Sequence, residues 1–458
     1  DATVVVGGNA HWIAVAESSP GAGDATAAHL TSNAGDLYAS VGGDLTLDDT
    51  TGFATTTGHL GVAVTGDLTV ASLAAPAGYA RIAVGGAIVD AGDSDLDLEA
   101  TSLQLVAGTG IGTLAREGGT YDPLEIAAGT LSVDLAEGPL ALEAAGDLTV
   151  GATAGIVRTL DEDGTSSDAF TPAGEALFGL LSKGGGTVSL VADGDLLLAA
   201  DPDPDPASVR PVVGLSDGAG TPVAGDLLLY ARDTAGSAAH ALTVNGRVTL
   251  AGGHATLRGT AGIALGADSR VETTGTGSTG TLTLLSASGG LTMASGARLS
   301  AVDGDVVAEV DGALAVAGIT TAGTVSLTSG AALSDNEASA TNVTAAALRL
   351  DAAGAIGASG NALDTAVDRL SARTTDGALF LREEDGLTLE GVAANTMAVA
   401  TDGTTAGRAV ALQNGVSTGG SNGTLVLDLA AGALTVNAGD PVSAGGASPV
   451  RRARTRTA

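Results

Sequence analysis

The chain contains no cysteine, which excludes disulfides, thiolate metal sites and cysteine nucleophiles together. Aromatics are almost as scarce, at 2% of 458 residues, although 44% of the chain is hydrophobic. The apolar content is therefore Ala, Val and Leu. A globular core of this size normally uses Phe, Tyr and Trp for their large buried areas. Small and branched aliphatics suit a narrow, uniform layer, such as a repeat array in which each unit buries its face only against its neighbours. Positive charge is also rare: one lysine (Lys183) and eighteen arginines face 38 Asp and 14 Glu, for a net charge of −33. Such a field repels phosphate backbones, so nucleic acid is not an expected partner. It favours solubility and attracts divalent cations or basic surfaces. No run of about 18 apolar residues occurs, so no helical membrane span is expected. The opening "DATVVVGG" lacks the basic and apolar regions of a signal peptide, and is read as a mature or excised start.

What the chain has in abundance is glycine, 70 residues, and it recurs in a phrase. Gly, a small or acidic residue, then apolar–small–apolar appears as "GDLTL" at Gly43, "GDLTV" at Gly66 and Gly146, and "GDLLL" at Gly194 and Gly225. Variants include "GTVSL" at Gly186 and Gly323, "GALFL" at Gly377 and "GALTV" at Gly432. Alternation with period two marks short strands with one buried face. Gly supplies the positive φ of a tight corner, and Asp can close an Asx turn there. Hairpins would fit such short connections. The coil-like repetition instead predicts strands that wind round and stack in parallel, the other sides of each coil providing the return path that parallel pairing needs. The expected unit is roughly 20 residues per coil.

A longer self-similarity lies over this grammar. Residues 86–150 resemble residues 330–389: Leu105 and Ile111 match Leu350 and Ile356, and Leu124, Leu131, Leu140 and Leu148 match Leu363, Leu370, Leu379 and Leu387. The register slips by six residues between the two sets, at "AREGGT". Such registration across several apolar runs indicates an internal duplication.

Four stretches depart from the pattern. Residues 1–34 read as first strands plus an N-terminal cap over the open face of the array. In Leu160–Gly184, Thr171 as N-cap, Pro172, Glu175, Lys183 and the closing Gly184 form a short-helix signature, expected as a small excursion. In "DPDPDP" at Asp201–Pro206 the alternating prolines hold the chain extended. From residue 441 the chain reads as a flexible basic tail carrying Arg451, Arg452, Arg454 and Arg456.

The "G-x-IG … L … L" block at Gly110–Leu131 and Gly354–Leu370, followed by "GALFLREEDGLTL", resembles the repeats of filamentous-haemagglutinin-like exoproteins and other giant bacterial surface adhesins. The resemblance covers roughly residues 35–440 and is one of repeat grammar and composition; the Asn-Pro-Asn secretion signatures of that group are absent. It implies a right-handed parallel β-helix (β-solenoid), secreted to the cell surface and acting in adhesion, biofilm or fibre formation. The expected assignment is thus a structural extracellular protein, not an enzyme. Its expected partners are further copies stacked end to end, or a host or matrix surface.

The competing class is a carbohydrate-active β-helix, a polysaccharide lyase or depolymerase. It would need convergent acids, a basic residue and an aromatic platform. The acids available are Asp48/Asp49, Glu383/Glu384 and the "DSDLDLE" run, whose alternation would place Asp93, Asp95, Asp97 and Glu99 on one outward, solvated face. Asp161, Asp163 and Asp168 are the candidate calcium ligands, in an acidic turn that lacks the spacing and closing Glu of an EF-hand. "GTGSTG" at Gly275–Gly280 matches a dinucleotide fingerprint in form only, because a strand follows it, with no helix N-terminus to hold a pyrophosphate. The four tail arginines are candidate assembly residues, a positive end that could dock on an acidic face of the next copy.

Overall fold

Apolar residues at every second position make short strands with one buried face. In a computed structural model these strands stack in parallel, coil upon coil, as a parallel β-helix that is nearly all strand. The structure describes residues 3–8, 10–14, 25–26, 29–48, 51–92, 95–117, 119–153, 157–160, 166–170, 177–202, 210–215, 223–234, 236, 239–274, 280–337, 340–420 and 423–445. The chain divides into two compact units, Asp1–Gly225 with Thr401–Thr404, and Asp226–Ala400 with Thr405–Ala458.

In the first unit, Leu37 lies opposite Leu60, Leu60 opposite Ala80, Ala80 opposite Leu103 and Leu103 opposite Leu131. The coils therefore take 20 to 28 residues, so their length varies more than a uniform repeat would. A second column runs Leu45, Leu68, Ile88, Ile111 and Leu140, each at most 1% exposed. Each such side chain, taken out of water, contributes about 2 kcal/mol. The aliphatic layer is thus a ladder of like on like. Winding is present from Thr3–Val6 and Ala10–Ala14, which pair in parallel with His29–Ser32 and Leu37–Val41.

Between Leu148–Val150 and Leu180–Ser182 the unit makes its excursion. Among the described residues it contains an antiparallel hairpin, Val157–Leu160 with Ser166–Phe170. Thr171 and Glu175, expected to begin a helix there, lie outside the described residues, and Leu180–Ser182 with Lys183 is strand and turn. The helical content among the described residues is one 3-10 turn, Ala115–Glu117, which falls on the six-residue insertion. No described helix is long and apolar enough to cross a membrane.

In the second unit the column runs Leu227, Ala255, Leu282, Val306, Val325 and Leu348, at spacings of 19 to 28 residues. The spacing from Ala372 to Val416 is 44 residues because a long antiparallel hairpin, Val392–Val399 with Thr405–Gln413, is inserted. Its first strand lies across successive coils, and side-chain acceptors there take its N–H groups. Val399 donates to Thr256 Oγ1 (2.8 Å), Met397 to Thr281 Oγ1 (3.1 Å) and Asn395 to Asp305 Oδ2 (2.7 Å). The hairpin thereby clasps three coils of its unit. The last described strand, Val442–Ala444, pairs with Val416–Thr418.

The two stretches matched in sequence have strands with the same limits. Leu98–Ala107 corresponds to Val343–Ala352, Leu124–Leu135 to Leu363–Thr374, and Leu140–Ala144 to Leu379–Glu383. Gly112 and Gly357 turn the same corner with φ of +61° and +62°. A Cβ would stand 2.4 Å from the Ala141 carbonyl oxygen in one and 2.3 Å from that of Phe380 in the other, so both corners require glycine.

Candidate metal centre and surface groove

The first unit gathers three carboxylates where one strand ends and the next begins. Asp90 closes the strand Ala87–Asp90 and lies opposite Val70 of the preceding coil. Asp97 stands just before Leu98–Ala107, and Glu125 follows the first residue of Leu124–Leu135. Backbone pairing brings the last two together: the Asp97 N–H donates to the Glu125 carbonyl (3.1 Å), and the Glu125 N–H donates to Asp97 Oδ2 (2.9 Å). One carboxylate oxygen from each of the three residues lies within 4.8 Å of the other two. Asp97 is 1% exposed and Asp90 4%, while Glu125 is half-buried.

This corrects the expectation that Asp97 belongs to an outward, solvated face. The alternation counted from Asp93 assumed one continuous strand, but the strand starts at Leu98 and the chain turns a corner before it. Asp95 is exposed and Glu99 half-buried; Asp93 is outside the described residues. Burial pushes Asp97 far above the usual carboxylate range; the Glu125 N–H pulls it part of the way back, and the Asp90 charge adds to the rise. Burial raises Glu125 as well.

The second copy builds the same corner from Asp335, Asn342 and Asp364, with the backbone bonds reproduced. The Asn342 N–H donates to the Asp364 carbonyl (2.8 Å), and the Asp364 N–H donates to Asn342 Oδ1 (2.8 Å). The difference is the other end of the side chain. Asn342 Nδ2 donates to Asp335 Oδ1 (2.6 Å) and to the carbonyls of Val316 (3.1 Å) and Ala317 (3.2 Å). Asp97 offers an oxygen in that place.

The second unit also carries a groove of about 760 Å³, lined among others by Asn361, Asp364, Phe380, Arg382 and Asp428. Arg382 Nη1 lies 3.9 Å from Asp364 Oδ1. Burial raises the Asp364 carboxyl, and the Arg382 charge works against that rise. A carboxylate, a guanidinium and a half-buried aromatic ring thus share one concave surface. That donor, acceptor and stacking set can bind a polyhydroxylated or charged ligand. Just behind it, Glu383 is fully buried: Oε2 accepts from Thr365 Oγ1 (2.6 Å), and Oε1 from the N–H groups of Val367 and Glu384 (3.1 Å each). Burial pushes Glu383 up to about 7. Its neighbour Glu384 is exposed, so the acid pair does not act as one group.

Of the calcium candidates read from sequence, Asp161 and Asp163 lie outside the described residues and Asp168 falls in the hairpin strand Ser166–Phe170. The assembly candidates Arg451, Arg452, Arg454 and Arg456 lie outside the described residues, as do Gly275–Thr279 of the glycine motif. The Asp90–Asp97–Glu125 corner was missed, although the duplication held the signal. Continuing the leucine register sets Asp90 on Asp335 and Asp97 on Asn342, an acid in one copy where the other has an amide. Comparison with protein-family models, curated proteins and solved structures finds no match.

Proposed function

We propose that this chain is a structural, extracellular bacterial protein: an adhesin shaft, or the subunit of a self-assembling surface or matrix filament, without a catalytic role. The parallel β-helix with its aliphatic columns supports this reading, as does an acidic surface suited to open medium. The observation that carries it is the last described coil. Leu425–Leu429, Leu434–Val436 and Val442–Ala444 pair, among the described residues, only with the coil before them. On that coil Leu434, Val436 and Val442 are 39, 49 and 38% exposed. Wherever such a coil edge meets no further coil of its own chain, its backbone donors, acceptors and apolar side chains can pair with another strand layer.

Negative-stain microscopy and light scattering of the purified chain test the reading. Filaments or end-to-end rods that disappear in the Val436→Asp, Val442→Asp double variant support it. Particles whose size ignores both concentration and the double substitution count against it. Removing residues 449–458 at low salt tests the arginine tail separately, with assembly expected to weaken if the tail docks on an acidic face.

The groove favours a second reading, a glycan-binding or carbohydrate-active surface. Arg382→Ala should then abolish retention on acidic polysaccharide, and reducing-end or unsaturated-sugar assays would separate cleavage from binding.

A further inference from the structure

We infer that the corner formed by Asp90, Asp97 and Glu125 binds a divalent cation, calcium by its donor set, and that Asn342 replaces this ion in the second copy. The argument begins with the duplication. In the second copy one amide spans the corner: Asn342 Oδ1 accepts from the next coil while Nδ2 donates to two carbonyl oxygens and to Asp335 Oδ1, which also accepts from the Glu337 N–H (2.6 Å). In the first copy Asp97 Oδ2 keeps the accepting half of that arrangement. Its Oδ1 takes the place of the donating half, and it is buried with no hydrogen-bond partner. An acceptor has thus replaced a donor at a place surrounded by acceptors. Such a buried oxygen carries its full desolvation cost unless something positive joins it.

The surroundings specify what that is. The ladder partner of Asp335 is Val316, and the ladder partner of Asp90 is Val70. The carbonyls that receive Asn342 Nδ2, those of Val316 and Ala317, therefore correspond to those of Val70 and Ala71. Asp90, Asp97 and Glu125 with these carbonyls form an all-oxygen donor set, which selects a hard cation over zinc or copper. Two oxygens on one calcium ion lie no more than about 5 Å apart, twice a bond of ~2.4 Å, and the carboxylate oxygens here lie within 4.8 Å of one another. Magnesium demands a tighter octahedron and keeps several waters, which fits a half-open pair of carboxylates better than a corner closed by Asp97 at 1% exposure. The site lies in the first unit and does not depend on the assembly proposed above.

The test uses the full chain, stripped with chelator and titrated with CaCl2 at physiological salt and neutral pH, against MgCl2. One high-affinity calcium per chain by calorimetry, with a rise in melting temperature, is the expected result. Asp97→Asn copies the second corner, so it should fold, melt at or above the ion-free wild type, and lose calcium affinity by about tenfold or more. Asn342→Asp should add a second calcium site. If Asp97→Asn does not fold, Glu125→Gln is measured in its place, with the same loss expected. A wild type that shows no saturable calcium heat and no thermal response overturns the inference, leaving a buried proton to hold the corner. Calcium binding undiminished in Asp97→Asn, or in its substitute, overturns it equally.

Discussion

Replacing Glu383 with Gln should stabilise the protein at neutral pH and do nothing in acid. The buried carboxyl is pushed from its ordinary 4.5 to about 7, chiefly by burial. When protonated, it can donate from Oε2 to Thr365 Oγ1, whose own hydrogen can then turn to the Arg382 carbonyl at 3.3 Å. Oε1 still accepts from Val367 and Glu384. Gln presents the same pattern, with Nε2 in place of the protonated oxygen. A folded-state pKa above the unfolded one means that the native chain holds the proton more tightly. The stability tied to that proton is fully present below about pH 4.5 and is lost as pH rises through about 7. At 1.36 kcal/mol per unit, the loss is about 3 kcal/mol. With a net charge of −33, the whole chain also responds to pH, so the quantity to follow is the difference between variant and wild type. Urea unfolding of both proteins from pH 4 to 8, followed by hydrogen exchange at the Val367 amide, would supply it. The gap should be near zero in acid and open between about pH 4.5 and 7 in favour of Gln. A gap that is flat across this range, or one that favours Glu at neutral pH, would refute the reasoning.

Other expectations follow from particular contacts. Leu131→Ala, at a fully buried position on the Leu103 column, should cost about 2–5 kcal/mol in denaturant unfolding, whereas Leu412→Ser at 63% exposure should cost little. Gly357→Ala meets both a φ of +62° and a carbonyl oxygen 2.3 Å from the new Cβ, so a loss of roughly 1–3 kcal/mol is expected. Gly407→Ala, with nothing within 4 Å, is its control and should shift stability by less than about 0.5 kcal/mol. Thr281→Val leaves the Met397 N–H without its acceptor, and exchange of that amide should accelerate while the coil amides beneath it stay protected. Glu337 accepts from the Gly296 N–H, Arg298 and Ser295, and the Gly296 bond leads in holding its carboxyl below the usual range. Glu337→Gln should therefore destabilise at neutral pH by under about 1 kcal/mol, and the difference should vanish as pH falls through the carboxylate range.

The columns of Leu45, Leu68, Ile88, Ile111 and Leu140 were legible in sequence because period two and the glycine phrase place each of them unaided. The coil length was legible only on average. Ladder pairing constrains the strands but leaves each corner free to be short or long. The hairpin Val392–Gln413 escaped because its strands use the same alternation as the coils. The Asp402–Gly403 dipeptide between its two runs, with Gly403 at φ +77°, is the hairpin signal that separates it. The helix expected after Leu160 rested on cap residues alone, and cap chemistry is local: it marks where a helix could start without specifying what the excursion packs against. Asp97 was misplaced for a related reason. Alternation predicts facing only within a strand, and a single corner residue resets it.

Chemistry in this fold collects where the columns leave freedom. Between the two copies the leucine positions persist, because each must meet a like side chain above and below. Positions beside them diverge at no cost to the ladder. Asp97 stands where the second copy has Asn342, Glu143 where it has Arg382, Ala141 where it has Phe380, and Ala144 where it has the buried Glu383. The first three changes separate a carboxylate-rich corner from a groove with a guanidinium and an aromatic ring. The fourth places a proton-binding group in one copy only. A single backbone register thus carries two different surfaces. In a duplicated β-helix, functional residues are therefore better sought by comparing equivalent positions across copies than by scanning along the chain for motifs. On that basis the corner at Asp97 and the groove at Arg382 are separate acquisitions, and substitutions in one should leave the other unchanged.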